Sequence, residues 1–323
     1  MNRNTIRDYF FTLSGYFSLS VDFIKHRYQT CLIAMGILMV PSGVSLILMA
    51  IYTERIGLML AYVKYLNPAT YLSAFGMILT LIVISFAATY YSLGLIYVQT
   101  RAFADHLHLS DGDAFRYVHK CFKAYLTTYL AFFVIVLAAV LIMVACIAFV
   151  ASVASVTYFS SNSNAGMIVL MILVTMMILG VYAVAILFSL KWYFAFHAAF
   201  QYDVGGFGSL SYSDKLTKGM KGKLFGYIMM FVGIGLLIGI LTIPFQSIGN
   251  NELAATAVQL ILSIPLKVFE FIYFTAFFIN SDALKQSYSG YYNLPLMTDR
   301  FTEFVIQNNI PREEDRMGFD RYR

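Results

Sequence analysis

Residues 124–158 read AYLTTYLAFFVIVLAAVLIMVACIAFVASVASVTY, thirty-five positions in a row without an Asp, Glu, Lys, Arg or His. A helix needs roughly 20 apolar residues to cross about 30 Å of hydrocarbon. A helix at the surface of a soluble core would interrupt such a run with a polar face, and a barrel strand would alternate; this stretch does neither. It reads as a membrane-spanning helix longer than the bilayer requires. Its outer end, Ala151 to Tyr158, is expected to tilt or project outward.

Five more stretches have the same character, at 31–52, 71–98, 165–190, 224–248 and 253–279. The expected fold is therefore all-α, a polytopic membrane helical bundle with six transmembrane helices. Composition agrees. Of 323 residues 60% are hydrophobic and only 12% charged, and the mean hydropathy is +0.73. Average soluble domains are roughly 45–50% apolar and about 25% charged. That balance excludes an ordinary soluble enzyme, a nucleic-acid module and a disordered chain. The N-terminus, MNRNTIRDYFFTLSGYF, has neither the apolar core nor the small-residue cleavage site of a signal peptide, so no segment is expected to be removed. No Asn-x-Ser/Thr acceptor occurs, which is compatible with a bacterial membrane.

The net charge of +5 matters less than its placement. Arg3, Arg7, Lys25 and Arg27 precede the first span; Arg101, Arg116, Lys120 and Lys123 follow the second; Lys191, Lys215, Lys218, Lys221 and Lys223 follow the fourth; Lys285, Arg300, Arg312, Arg316, Arg321 and Arg323 follow the sixth. That puts 19 of the 22 Lys and Arg on one side, against only Arg55 and Lys64 in the opposite loops. By the positive-inside rule both termini are cytoplasmic. The loops are too short for an independent core, since domains under about 40 residues seldom stand alone. The expected layout is one six-span membrane domain over 1–290 and a charged cytoplasmic tail over 291–323.

The segments preceding the odd-numbered spans resemble one another. Ser18-Leu-Ser20-Val-Asp22-Phe-Ile-Lys25, Ser110-Asp-Gly-Asp113-Ala-Phe-Arg116 and Ser211-Tyr-Ser213-Asp214-Lys-Leu-Thr-Lys218 each lead, after a similar interval, into an apolar run. The even spans end alike, in Ile96-Tyr97-Val98, Trp192-Tyr193-Phe194 and Ile272-Tyr273-Phe274. The pattern implies three repeats, about 18–98, 110–194 and 211–280, each an interfacial helix followed by a hairpin. Ser or Asp would cap each short helix, with Asp113 and Asp214 in the capping-box position. Phe115, Val118, Phe122 and Tyr125 fall on one face and Arg116, His119, Lys120 and Lys123 on the other, as expected of a helix lying in the interface with its aromatic face in the bilayer.

Around Ser211 to Gly226, SYSDKLTKGMKGKLFG, the chain resembles a loose family of bacterial polytopic membrane proteins. That family includes the membrane domain attached to some glycerophosphodiester phosphodiesterases and related uncharacterised inner-membrane proteins. The resemblance implies a helical domain in a bacterial inner membrane. It does not bring the hydrolase activity, which needs a catalytic barrel of about 250 residues that this chain lacks.

Few residues carry recognisable chemistry. Cys31, Cys121 and Cys146 show no ligand spacing and read as small hydrophobes. His26, His106, His108, His119 and His197 include no i,i+4 metal pair, and no nucleophile elbow, zinc-protease or phosphate-loop motif occurs in a fitting context. Neither a metal nor another cofactor is expected. Gly205, Gly206 and Gly208 read as a flexible turn. Gly235-Leu-Leu-Ile-Gly239 permits close helix approach, with packing inside the monomer preferred to self-association.

Ionisable residues enter only the sixth span, where Lys267 and Glu270 stand three apart and share a helix face. They read as a structural pair, with Pro265 just before them able to kink the helix. The basic residues Lys25, Arg27, Arg116, Lys120, Lys123, Lys215, Lys218, Lys221 and Lys223 are candidate contacts for anionic lipid headgroups, each worth about 1 kcal/mol near a charged leaflet. The expectation is a non-enzymatic membrane scaffold or accessory subunit that binds lipid, another membrane protein, or both, and no nucleic acid. The alternative is a transporter of a lipid or small amphiphile that uses Lys267 and Glu270.

Overall fold

A computed structural model describes residues 13–61, 68–161, 172, 175–176, 180, 186–202, 204–247, 252–287 and 297–312. Helix dominates, and no strand occurs among the described residues. The elements are α1 (Leu13–His26), α2 (Tyr28–Ala61), α3 (Pro68–Ala104), α4 (Asp111–Lys120), α5 (Phe122–Ser161), α6 (Ala195–Gln201), α7 (Phe207–Thr217), α8 (Lys221–Ser247), α9 (Glu252–Ser287) and α10 (Arg300–Gln307).

Five of these are long and apolar enough to cross a membrane: α2, α3, α5, α8 and α9, through Tyr28–Ser45, Gly76–Ala104, Phe122–Ala145, Lys221–Pro244 and Ala257–Gln286. The expected fourth span, 165–190, lies mostly outside the described residues. Helix boundaries overrun the apolar runs. α2 continues to Ala61 and α3 starts at Pro68, so helix fills much of what reads as a loop at 53–70. The 40 residues of α5 include Ala151–Tyr158 in one unbroken helix, about 60 Å at 1.5 Å per residue. α9 likewise passes through Pro265 without interruption.

The chain forms two compact units, one from Met1–Lys120, Ile228–Ser287 and Arg300–Arg323, the other from Cys121–Tyr227 and Tyr288–Asp299. In the first, α2, α3 and α9 pack together, with α1 and α4 laid against them. Burial concentrates at the end of the spans beside the short helices. Every residue of α3 from Ser92 to Ala102 is buried, as are Ile272 to Ile279 of α9 and Cys31 and Ala34 of α2. The other halves stay exposed: Ile78, Leu79, Ile82 and Val83 of α3, Ile261 and Leu262 of α9, Met39 and Val40 of α2. Those outward aliphatic faces match a lipid solvent, which needs no further cover. In the second unit Ala124, Tyr125, Thr128 and Ala131 of α5 are buried, whereas Leu137, Val140, Leu141, Ile142 and Val144 are exposed.

The short helices divide their aromatic side chains: several are buried in protein, while Phe17 of α1, Phe207 of α7 and Phe122 stay exposed and Phe115 is half-buried, so the face expected to meet the bilayer is only partly covered. On α1, Tyr16, Ser20 and Phe23 recur at helical spacing and are buried. Tyr16 meets Tyr273 and Phe277 edge-on at 5.6 and 5.3 Å and accepts a 2.8 Å hydrogen bond from Asn280 Nδ2. Phe23 meets Phe103 at 5.7 Å. On α4 the buried residues are Ala114, Tyr117 and Val118, while Arg116, His119 and Lys120 are exposed. Tyr117 is clasped by Phe301 and Phe304 of α10 at 5.6 and 5.1 Å, so the C-terminal segment contributes a docked helix where charge alone reads as a tail. Such edge-on pairs stabilise by about 0.5–1.5 kcal/mol beyond the area they bury.

Only one expected cap forms. Ser110 Oγ accepts from the Asp113 amide at 3.1 Å and donates to Asp113 Oδ2 at 2.7 Å, opening α4 as a capping box would. Ser18 instead lies inside α1 and Ser211 inside α7. α7 starts four residues before Ser211 because Gly206, at φ 63°, turns the chain into the helix there.

Candidate functional site

In the first unit, the junction between α3 and α4 is held by a carboxylate whose role the sequence leaves unread. Asp111, the first residue of α4, accepts from Thr30 Oγ1 at 2.8 Å and from Gln99 Nε2 at 2.9 Å. A negative charge at a helix N-terminus also sits well in the helix dipole. Gln99 Nε2 further donates to Leu109 O at 3.3 Å. The Arg27 guanidinium, at the break between α1 and α2, donates to Leu107 O at 3.2 Å and to Leu109 O at 3.4 Å. Arg101 and Asp105 close the group with a buried 2.8 Å ion pair. Tyr90 donates its hydroxyl to Val118 O, and His108 donates its amide to Pro311 O at 3.0 Å. Polar contacts thus fasten the break between α3 and α4 to Arg27, to Thr30 of α2 and to the segment after α10.

The second unit has its own polar lock. Thr128 Oγ1 lies 2.6 Å from Ser209 Oγ and accepts from the Gly206 amide at 3.2 Å. A Cβ on Gly205 would meet Thr127 Oγ1 and stand 2.9 Å from Ala124 O, so close backbone approach, and not flexibility, requires glycine there. Ser213 Oγ donates to Lys191 O at 3.0 Å and accepts from the Phe194 amide at 3.1 Å. Asp214, the expected capping acid, instead pairs with Lys191 at 3.3 Å and Lys221 at 3.8 Å. His197 on α6 is fully enclosed; burial pushes its pKa down to about 3, which keeps the ring neutral at ordinary pH.

The expected headgroup contacts divide by environment. Lys120, Lys123, Lys215, Lys218 and Lys223 are exposed, with Lys120 lying 5.1 Å over the Phe304 ring. Arg116 is exposed and loosely paired with Asp113 at 3.5 Å, and Lys25 with Asp22 at 3.9 Å. Lys221 is shared with Asp214, and Arg27 is committed to the carbonyls described above. Exposed lysines of this kind hold their charge on flexible stems and meet anions as point charges.

Lys267 and Glu270 do meet: Nζ and Oε2 are 2.9 Å apart, and Nζ also lies 5.2 Å over the Phe271 ring. The pair is not deeply enclosed by protein, the two side chains being 48% and 21% exposed. Gly235 and Gly239 show no atom within 4 Å of a Cβ built on either, so packing inside the monomer does not use them among the described residues. No three His, Cys, Asp or Glu among the described residues gather to hold a metal ion. Sequence reasoning missed Thr30, Gln99, Arg101, Asp105 and Asp111. Their one local signal is the abrupt Gln99-Thr100-Arg101 at the end of an otherwise apolar run. No family model, no curated protein and no solved structure matches the chain.

Proposed function

We propose that this chain is a non-enzymatic integral membrane protein, a scaffold or accessory subunit that gathers anionic lipids, and with them another membrane protein, at its basic rim. It has six spans in three repeated units of short helix plus hairpin, with both termini cytoplasmic, in a bacterial inner membrane. The observation that carries this reading is the split among charges at the span ends. Asp105, Asp111, Asp113 and Asp214 are all engaged in contacts within the chain, while Lys120, Lys123 and Lys223 are exposed. The surplus is positive and lies beside helices that end in hydrocarbon, where each cation near an anionic leaflet gains about 1 kcal/mol. The break–helix–break pattern at Arg27, Cys121 and Lys218–Met220 supports the repeat, since a short helix precedes α2, α5 and α8 alike.

The test is lipid selectivity in vesicles. Spin-labelled phosphatidylglycerol should be immobilised by the reconstituted protein more than spin-labelled phosphatidylcholine. Replacing Lys120, Lys123, Lys221 and Lys223 with Gln should abolish that difference, and raised salt should weaken it. Equal immobilisation of both lipids by the unaltered protein would end the proposal. A cysteine introduced at Asn162 checks the orientation: labelling from the side opposite the termini is expected.

A further inference from the structure

A groove of about 500 Å³ opens between α1, α8 and α9 within the first unit. Its floor is apolar, formed by Phe17, Val21, Met230 and Tyr273. Its rim is polar, with Ser18, Asp22 and Lys25 along one side of α1. The volume is in the range of small-molecule sites, about 300–1,000 Å³. Its depth is set by the helices that line it. Met230 stands seven residues beyond Lys223, about 10 Å along α8 at 1.5 Å per residue. With Lys223 at headgroup level, as the proposed orientation has it, the apolar floor falls just inside the hydrocarbon and the charged rim towards the headgroups.

The rim carries one charge of each sign. Asp22 and Lys25 approach only to 3.9 Å, and their side chains are 48% and 67% exposed, so both heads remain open to a further partner. An adjacent carboxylate and ammonium complement a zwitterion: phosphate against Lys25, a cationic amine against Asp22. A primary ammonium donates hydrogen bonds to a carboxylate, and a quaternary one has no N–H to give.

We propose that this groove holds one zwitterionic phospholipid of the phosphoethanolamine class, its phosphate on Lys25, its ammonium on Asp22 and an acyl chain on Phe17, Val21 and Met230. The proposal rests on the lipid-binding reading above and narrows it from a diffuse preference for anions to one discrete lipid. It also gives α1 a task that packing alone does not require, since its buried face is already satisfied by Tyr16 and Phe23 while Phe17 is left exposed on the groove side.

The experiment is native mass spectrometry of the whole chain in detergent with equal amounts of phosphatidylethanolamine, phosphatidylcholine and phosphatidylglycerol. One phosphatidylethanolamine should be retained, preferred about tenfold over phosphatidylcholine, as one added charged hydrogen bond implies. Asp22→Asn should bring that preference near unity while a lipid remains bound. Met230→Trp, which fills the floor, should remove the bound lipid; Val21→Phe is a second filling variant in case the first does not fold. Equal retention of the three lipids by the unaltered protein, an unchanged preference in Asp22→Asn, or full retention in a folded filling variant would each overturn the site. The phosphatidylglycerol immobilisation described above is read from other residues. If it survives while the groove fails, the discrete site falls and the broader function stands.

Discussion

Removing the Asp111 carboxylate should unfasten the first unit at the junction of α2, α3 and α4. Asp111→Ala deprives buried Thr30 Oγ1 of its acceptor at 2.8 Å and buried Gln99 Nε2 of the nearer of its two, at 2.9 Å. A hydrogen bond to a charged group contributes about 1.5–3 kcal/mol, and two give an upper range of about 3–6. Asp111 is only partly buried, so water recovers some of this, and the low end, about 3 kcal/mol, is the expected loss. Asp111→Asn keeps one acceptor oxygen and should lose about half as much. Thr30→Val removes one donor alone, and the cycle of Thr30→Val with Asp111→Ala should show a coupling of about 1–2 kcal/mol. The assay is unfolding in mixed micelles, followed by a thiol-reactive dye at buried Cys31, in a background with Cys121 and Cys146 replaced by Ser. Cys31 sits next to Thr30 in the same unit and so reports this junction. A coupling below about 0.3 kcal/mol, the usual limit of additivity, would refute the claim that Asp111 is the lock.

Three further outcomes follow from the same structure. Gly205→Ala should destabilise the second unit by about 1–3 kcal/mol, because the new Cβ meets backbone at Ala124, while Gly222→Ala, with open space around it, should be neutral or gain up to about 1 kcal/mol; Trp192 fluorescence on heating reads both. His197 stays neutral in the fold with its pKa near 3, whereas the unfolded chain binds a proton below about pH 6.5; stability should fall as pH drops through that window, by about 2 kcal/mol at pH 5, and His197→Phe should lose this slope. For Lys267 and Glu270, the double replacement Lys267→Met with Glu270→Gln should melt higher than the worse single mutant by about 1 kcal/mol, and a double mutant no better than that single would count against a structural pair.

The spans are legible in the sequence because hydrocarbon imposes a one-dimensional requirement: a long run without charge. Their ends are not: α9, for one, runs on past its apolar stretch through Asn280, Ser281 and Asp282, which neighbours bury. The short helices are visible too, through the Ser/Asp-led segments, but which way they face is not. The spacing of Tyr16, Ser20 and Phe23 shows that one face of α1 is to be hidden, and it says nothing of whether lipid or protein hides it. Here Tyr273, Phe277 and Phe103 do. The polar lock was illegible for a related reason. Thr30 and Asp111 are 81 residues apart, and nothing local to either announces the other. Lys267 and Glu270, one turn apart on a single helix, were readable because proximity in sequence and in space coincide there.

The location of the core ties these observations together. In each unit the tightly packed residues lie at the span ends beside the short helices, and the far halves of α3, α5 and α9 present aliphatic side chains outward. Lipid tails are as apolar as Leu, so those far halves gain little by packing on one another, and what orders the bundle must act where polar groups have something to satisfy. The breaks between short and long helices supply that need: each leaves backbone carbonyls and amides without helical partners, and Arg27, Gln99, Thr128 and Ser213 answer them. The same requirement draws the nearby acids into internal contacts, Asp111 to Thr30 and Gln99, Asp214 to Lys191 and Lys221. The lysines they leave behind are therefore a consequence of how the chain satisfies its helix ends. In each unit the exposed lysines thus stand beside its most tightly packed residues, where the acids nearest to them are already engaged.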